Sequence, residues 1–173
     1  MIKNLARKLS KGFVLQEAQL TRAAIAITAV AVIGASVTMY DNIKIDKAVE
    51  DVNDTKSALQ AYFSGFPSTT GSVPENILPA RVVTSSGTYN HGLGGSLTIT
   101  LNSSKTFDIA AAGLDDDHCR IIAGRFNMTL GNGKTDSMAI DTSTFTAPTT
   151  SDLINTACGG GAGGNTITFV FSI

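Results

Sequence analysis

The run of three aspartates and a histidine from Asp115 to His118 has the residue types best suited to metal binding. Carboxylate oxygens and imidazole nitrogens are common metal ligands. Consecutive residues of a helix, however, point around the helix axis rather than at one ion, and carboxylates are favoured in a helix's first turn. The run therefore predicts an acidic helix start, and we expect no metal and no cofactor.

Glycine-rich stretches and histidines are the other residues that could do chemistry. The sequences GLGG at 92–95 and GGGAGG at 159–164 resemble phosphate loops, but neither has the lysine or the strand-to-helix context that such loops require. They are interpreted as loops. The two histidines, His91 and His118, stand in no recognisable nucleophile motif. The sequence therefore predicts that the protein is not an enzyme.

Composition limits the remaining classes of function. A chain of 173 residues suits one ordinary domain. With 13 basic and 14 acidic side chains the net charge is -1, so there is no overall positive field to hold nucleic acid. Only 16% of residues are charged and 17 are glycine, which is typical of an exported, β-rich domain.

The N-terminal segment differs from the rest of the chain. All charges in residues 1–12 are basic, and residues 23–40 form an uncharged, mainly apolar run of 18 residues. As a helix, that run is about 27 Å long and just spans the hydrocarbon layer of a membrane. Basic residues before an apolar span keep the N-terminus in the cytoplasm, so everything after Tyr40 is expected outside the inner membrane.

Two ordinary explanations compete for this segment. A cleavable secretory signal could be cut at the small residues 34–36, but the region before the apolar run contains Gln16 and Glu17 and is long and polar for such a signal. A plain signal anchor explains the apolar run. It does not explain the residues that precede it.

Those residues are Gly12 and Phe13, followed by Glu17, directly ahead of the apolar run. The sequence KGFVLQE with a basic leader before it resembles the class III signal of type IV prepilins. The resemblance implies that a prepilin peptidase cuts between Gly12 and Phe13, that the new N-terminus is methylated, and that Glu17 is retained.

Physical chemistry gives Glu17 a reason to be retained. A carboxylate at the membrane-embedded end of a helix is costly without a partner, and the new ammonium of Phe13 on a neighbouring subunit supplies one. The sequence departs from the family at Gln19, Thr21 and Arg22, where apolar residues are usual. Arg22 competes for Glu17, and its role is left open.

Residues 41–65 are expected to continue the helix as an amphipathic segment. Gly65 and Pro67 supply a stop. A coiled-coil dimer is the alternative, but there are too few heptads to favour it. The apolar positions that share one face are Ile45, Val49, Val52, Leu59 and Phe63, and the opposite face carries Asp46, Lys47, Glu50, Asp51 and Asp54.

The remaining chain predicts an α+β domain. Alternating residues in 96–101 and 106–111 indicate a hairpin, and 166–173 alternate strictly up to the last residue. Between them, LDDDHCRIIAGRF is expected to form a short second helix with Cys119, Ile122 and Phe126 on one side. We therefore expect a long helix packed on an antiparallel sheet.

The order of these elements resembles the globular domain of type IVb pilins, particularly the conjugative thin-pilus branch. The segments that carry the resemblance are GLDDDHC, ACGGGAGGNTITFVF, VPENILPARVV and GLGGSLTI. In that group a cysteine of a short helix bonds one near the final strand, which implies a disulfide between Cys119 and Cys158. An even cysteine count in an exported domain favours the same pairing.

The resemblance implies a major pilin subunit with four regions: a cleaved leader at 1–12, an apolar membrane and filament-core helix at 13–40, its amphipathic continuation at 41–65, and a globular domain at 66–173. Its expected partners are copies of itself, the prepilin peptidase, the pilus assembly machinery and the inner membrane. We expect a surface pilus used for adhesion, aggregation or conjugative contact. The alternatives are a minor pilin or secretion pseudopilin, and a membrane-anchored or secreted binding domain.

Overall fold

The computed structural model describes residues 41–65, 73–85, 88–102, 105–159 and 164–173. The predicted leader and the apolar run lie outside these ranges. Within them, no helix is both long and apolar enough to cross a membrane.

The first helix, α1, covers residues 41–63 of the described chain and is followed by a turn at 64–65. The predicted apolar face is buried, with Val49 only half-buried. One residue of the predicted polar face is buried: Asp51 has only 3% of its surface accessible. The prediction for Asp51 is therefore wrong, and the reason is a set of hydrogen bonds described below.

A seven-stranded antiparallel sheet follows α1, with the strand order β1-β2-β3-β4-β7-β5-β6. The hairpin of β3 and β4 is confirmed, as is the final strand β7. The remaining four strands have only three or four residues each, too few to show an alternating pattern. The strands are β1 (Val83–Ser85), β2 (Thr88–Asn90), β3 (Ser96–Asn102), β4 (Thr106–Leu114), β5 (Ser137–Ile140), β6 (Ser143–Phe145) and β7 (Asn165–Ser172).

Two further α-helices complete the described domain. Helix α2, Asp116–Asn127, was expected, and it buries Cys119, Ile122 and Phe126 together with Ala123. Helix α3, Ser151–Ala157, was not expected, because it has only seven residues and buries one of them, Ile154. A single 3₁₀ turn, Glu75–Ile77, precedes β1. The predicted α+β class is confirmed.

The core lies between the helices and one face of the sheet. Phe169 of β7 stacks on Phe126 of α2 with ring centroids 4.1 Å apart, and it also stacks on Phe171. Phe171 in turn contacts Lys56 of α1, so both helices cover the same face.

Candidate functional site

The predicted processing and assembly residues, Gly12, Phe13 and Glu17, lie outside the described residues. Their roles therefore remain predictions. The predicted disulfide lies within the described domain, and so do the acidic run and one of the glycine-rich loops.

Cys119 and Cys158 form a disulfide, with their sulfur atoms 2.07 Å apart. Both cysteines are fully buried. Cys119 lies in the first half of α2 and Cys158 directly follows α3, so the bond joins the two short helices across 39 positions of sequence. This bond is the pairing that the sequence implied.

The acidic run forms the start of α2. Asp115 caps the helix by accepting a hydrogen bond from the backbone N–H of His118 at 2.8 Å, and its other oxygen lies 2.7 Å from the His118 ring. Asp117 pairs with Arg120 at 3.0 Å. In the part of the chain that the structure describes, no three His, Cys, Asp or Glu side chains are grouped so that they could hold a metal ion. The helix start that the sequence predicted is confirmed by the Asp115 cap and by Asp116 and Asp117 in the first turn of α2.

The buried carboxylate of Asp51 attaches two segments to α1, the turn before β1 that carries Arg81 and the loop before β3 that carries Gly92. Its Oδ1 accepts a hydrogen bond from Arg81 Nε at 2.6 Å, and its Oδ2 accepts one from the backbone N–H of Gly92 at 2.8 Å. Arg81 also donates to Asp54 at 2.6 Å. The hydrogen bond to Asp54 raises the pKa of Arg81 most, and the hydrogen bond to Asp51 raises it further. A surface cavity of about 360 Å³ opens beside this cluster.

Glycine is required at two positions of the GLGG loop because backbone approaches too closely for a side chain. A Cβ atom on Gly92 would lie 2.7 Å from Lys47 Cβ, against α1. On Gly95 it would lie 2.1 Å from the carbonyl oxygen of Ala112. The loop therefore packs between α1 and the end of β4, where the sequence indicated only a loop.

His91 begins this loop and is buried, with 4% of its surface exposed. Its Nε2 lies 3.0 Å from the carbonyl oxygen of Ala112, and its Nδ1 accepts a hydrogen bond from the backbone N–H of Leu93 at 3.3 Å. These partners fit a neutral ring with its proton on Nε2. Burial lowers the pKa of His91, an effect that outweighs the bond to Ala112 and the charge of Asp51. The ring is held neutral as a packing element.

Lys56 of α1 lies beside the C-terminal end of β7. Its Nζ donates to the carbonyl oxygen of Lys134 and lies 4.7 Å from the centroid of the Phe171 ring. Desolvation lowers the pKa of Lys56, the charge of Lys134 lowers it further, and Asp136 opposes both. Asp136 also bonds the Ser172 hydroxyl. The contacts of Lys56 therefore join α1 to the C-terminal end of β7 and to the segment that precedes β5.

Several large apolar side chains of the described residues are exposed. Leu153 of α3 has 54% of its surface accessible and borders a groove of about 500 Å³ between α3 and the β5–β6 hairpin. Met128, which directly follows α2, is exposed at 73%. The others are Ile43, Tyr62 and Ile121.

The Asp51 cluster is the main feature that the sequence analysis missed. The burial of Asp51 follows its position on α1, three residues after the buried Ala48 and four before the buried Thr55. This spacing places it on the apolar face of α1. Its partners Arg81 and Gly92 are 30 and 41 residues away, and no local pattern links them to α1.

Comparison with known proteins identifies the fold. The type IVb pilin from Salmonella typhi superposes with a TM-score of 0.58 and 16% identity, over 74% of this chain and 99% of that pilin. TcpA, a type IV pilin from the Vibrio cholerae El Tor biotype, gives a TM-score of 0.52 and 12% identity, over 75% of this chain and 99% of TcpA. No family model and no curated protein matches the chain. The chain has the fold of type IVb pilins.

Proposed function

We propose that this protein is a type IV prepilin of the IVb class, which is cleaved after Gly12 and polymerises into a surface pilus. The observation that carries the proposal is the combination of two independent features. One is the pilin fold of the described domain. The other is the sequence ahead of it, where a basic leader, Gly12, Phe13 and Glu17 precede an apolar run.

The four regions have separate tasks. The leader at 1–12 is removed, the helix at 13–40 holds the precursor in the inner membrane and later forms the filament core, and its continuation at 41–65 anchors the globular domain at 66–173. Removal of the leader takes away four of the 13 basic side chains and leaves 14 acidic ones, a net charge of -5. The prepilin peptidase and the pilus assembly machinery act on this precursor, and the product is an extracellular fibre.

The junction between Gly12 and Phe13 tests processing. Mass spectrometry of the mature protein is expected to find an N-terminal, methylated Phe13. Gly12→Val, which puts a branched side chain at the cut, should leave an inserted precursor that does not assemble. Normal fibres built from Gly12→Val protein would refute the proposal.

Glu17 tests polymerisation separately from insertion. In a signal anchor, Glu17→Val would be harmless or would improve partition into the membrane. If Glu17 pairs with the Phe13 ammonium of a neighbour, the same change leaves a buried charge unpaired, at about 3 to 5 kcal/mol. We expect stable, inserted, disulfide-bonded protein that is absent from sheared fibres.

Arg22→Ala is the matched control for this experiment, because Arg22 competes for Glu17 without being its expected assembly partner. It should retain fibres. Wild-type amounts of fibre from Glu17→Val cells would show that the carboxylate does not direct assembly. The amount of the protein in sheared wild-type fibres distinguishes a major subunit, which dominates the preparation, from a minor one.

A further inference from the structure

We propose that Asn132 is a modification site, at which the folded protein loses ammonia and converts the asparagine to aspartate and isoaspartate. The reaction needs only the chain and water. Three observations support it: the residue that follows Asn132 in sequence, the backbone of the loop at 128–135, and the hydrogen bonds that this loop makes. The inference goes beyond the proposed function and does not depend on it.

Asn132 is followed by Gly133, and it is the only asparagine of the chain that is followed by glycine. The reaction begins when the backbone nitrogen of the next residue attacks the side-chain Cγ, so a side chain on that residue obstructs it. Gly133 has no side chain, and nothing lies within 4 Å of the position that its Cβ would occupy. The approach to the attacking nitrogen is therefore open.

The backbone around Asn132 allows the chain to bend into a ring. Asn132 lies between Gly131 and Gly133, whose φ angles of 71° and 72° are in the left-handed region that glycine adopts readily. All three residues are exposed. Because glycine has access to many backbone conformations, the loop can reach the bent geometry that ring closure requires.

Few hydrogen bonds restrain the reacting groups. Among the residues that the structure describes, the Gly133 N–H has no hydrogen-bond acceptor, and the Asn132 side chain makes one bond, from Nδ2 to the carbonyl oxygen of Met128 at 3.1 Å. That bond is exposed, so water competes for it. Asn127 differs, because both polar atoms of its amide bond the backbone of Thr149, at 2.9 and 2.8 Å.

The step balances with water as the only other reactant. The Gly133 nitrogen forms a bond to Asn132 Cγ, the bond from Cγ to Nδ2 breaks, and Nδ2 leaves as ammonia with the proton of the Gly133 N–H. The product is a five-membered succinimide ring. Water then adds to one of the two ring carbonyls and returns a proton to the nitrogen. Opening at Cγ gives aspartate, and opening at the main-chain carbonyl gives isoaspartate.

The conversion changes the connection between α2 and β5. It adds a negative charge and removes the N–H group that binds the carbonyl of Met128, the residue that ends α2. A negative charge is unfavourable there, because the carbonyl groups at a helix C-terminus carry partial negative charge. Isoaspartate also adds a carbon to the backbone of a loop whose Lys134 carbonyl binds Lys56 of α1. Since ammonia escapes, the modified fraction rises with the age of the folded protein.

Peptide mapping by mass spectrometry tests the site on the purified full chain, incubated with and without urea. In the folded chain Asn132 should convert before any other asparagine and nearly as fast as in urea, whereas Asn127 and the fully buried Asn165 should convert only in urea. The rate should rise with pH, because the attacking nitrogen must lose its proton. Conversion of Asn132 in urea but not in the folded chain, or earlier conversion of another asparagine, overturns the proposal.

Two variants test the ring mechanism. Gly133→Ala puts a methyl group on the attacking residue and should slow conversion of Asn132. Because the φ of Gly133 is positive, urea denaturation first establishes that this variant is folded. Asn132→Gln keeps an amide on a longer side chain, closes a ring less readily and should lose the conversion. Wild-type conversion in folded Gly133→Ala protein, or aspartate without isoaspartate in the unaltered chain, overturns the proposal.

Discussion

At the scale of single residues, backbone proximity decides which glycines can be replaced. Gly95→Ala would place a methyl group 2.1 Å from the Ala112 carbonyl oxygen, so the loop or β4 must move. We expect a loss of about 2 to 3 kcal/mol in the free energy of unfolding, measured by urea denaturation. Gly124→Ala is the control, because nothing lies within 4 Å of its Cβ position in α2. It should stabilise the protein by about 0.5 to 1 kcal/mol, and equal effects at both sites would contradict this explanation.

His91 makes stability depend on pH. Its pKa lies below the unfolded value of 6.5, so the unfolded chain binds the proton more readily. The neutral ring makes its full contribution to the free energy of unfolding above pH 6.5. This contribution is lost as the pH falls from 6.5 to the pKa of His91 in the folded protein, by at most about 1.4 kcal/mol per pH unit.

The measurement for His91 is a series of urea denaturations between pH 7.5 and 4.5, with His91→Gln alongside. The variant keeps a donor for Ala112 but has no titrating ring. Because carboxylates titrate in both proteins, the useful quantity is the stability difference between wild type and variant, which should shrink as the pH falls. A difference that stays constant across the series would show that His91 does not titrate between these states.

At the scale of elements, long periodic segments were predictable from the sequence and short ones were not. The apolar spacing of α1, the β3–β4 hairpin and β7 each extend over enough residues to show their period. The three-residue strand β6 and the seven-residue α3 do not. β6 forms because β5 offers it a strand to pair with, and α3 is held against α2 by the disulfide. Tertiary contacts also explain Asp51, whose charge is accepted inside the domain because Arg81 and the Gly92 N–H bind its carboxylate.

Asp51→Ala should loosen the attachment of the 81–95 region to α1. The change leaves the Gly92 N–H and one arm of Arg81 without their acceptor, and we expect a loss of about 2 kcal/mol in the free energy of unfolding. Asp54→Ala removes the other carboxylate bound to Arg81, but its side chain is 45% exposed, so the loss should stay below about 1 kcal/mol. Hydrogen exchange should show faster exchange at Gly92 in Asp51→Ala only. Similar exchange in the two variants would mean that Asp51 does not hold the loop.

At the scale of the whole molecule, the disulfide constrains a large part of the domain. The loop between Cys119 and Cys158 encloses most of α2, the β5–β6 hairpin and α3. In the chain-entropy model, closing a loop of about 40 residues is worth about 4 kcal/mol. Cys119→Ala combined with Cys158→Ala should lower the free energy of unfolding by about that amount. Addition of reductant should destabilise wild type and leave the variant unchanged, and a wild-type protein insensitive to full reduction would contradict the prediction.

The position of β7 determines when the domain can fold. β7 lies between β4 and β5 in the sheet, yet it follows both in sequence. The β3–β4 hairpin can form locally, but the β5–β6 hairpin has no strand to join until β7 has been synthesised. Pairing of this kind has a high contact order and is slow. The chain should therefore remain unfolded through most of its synthesis, in the state in which a polypeptide can be threaded across a membrane.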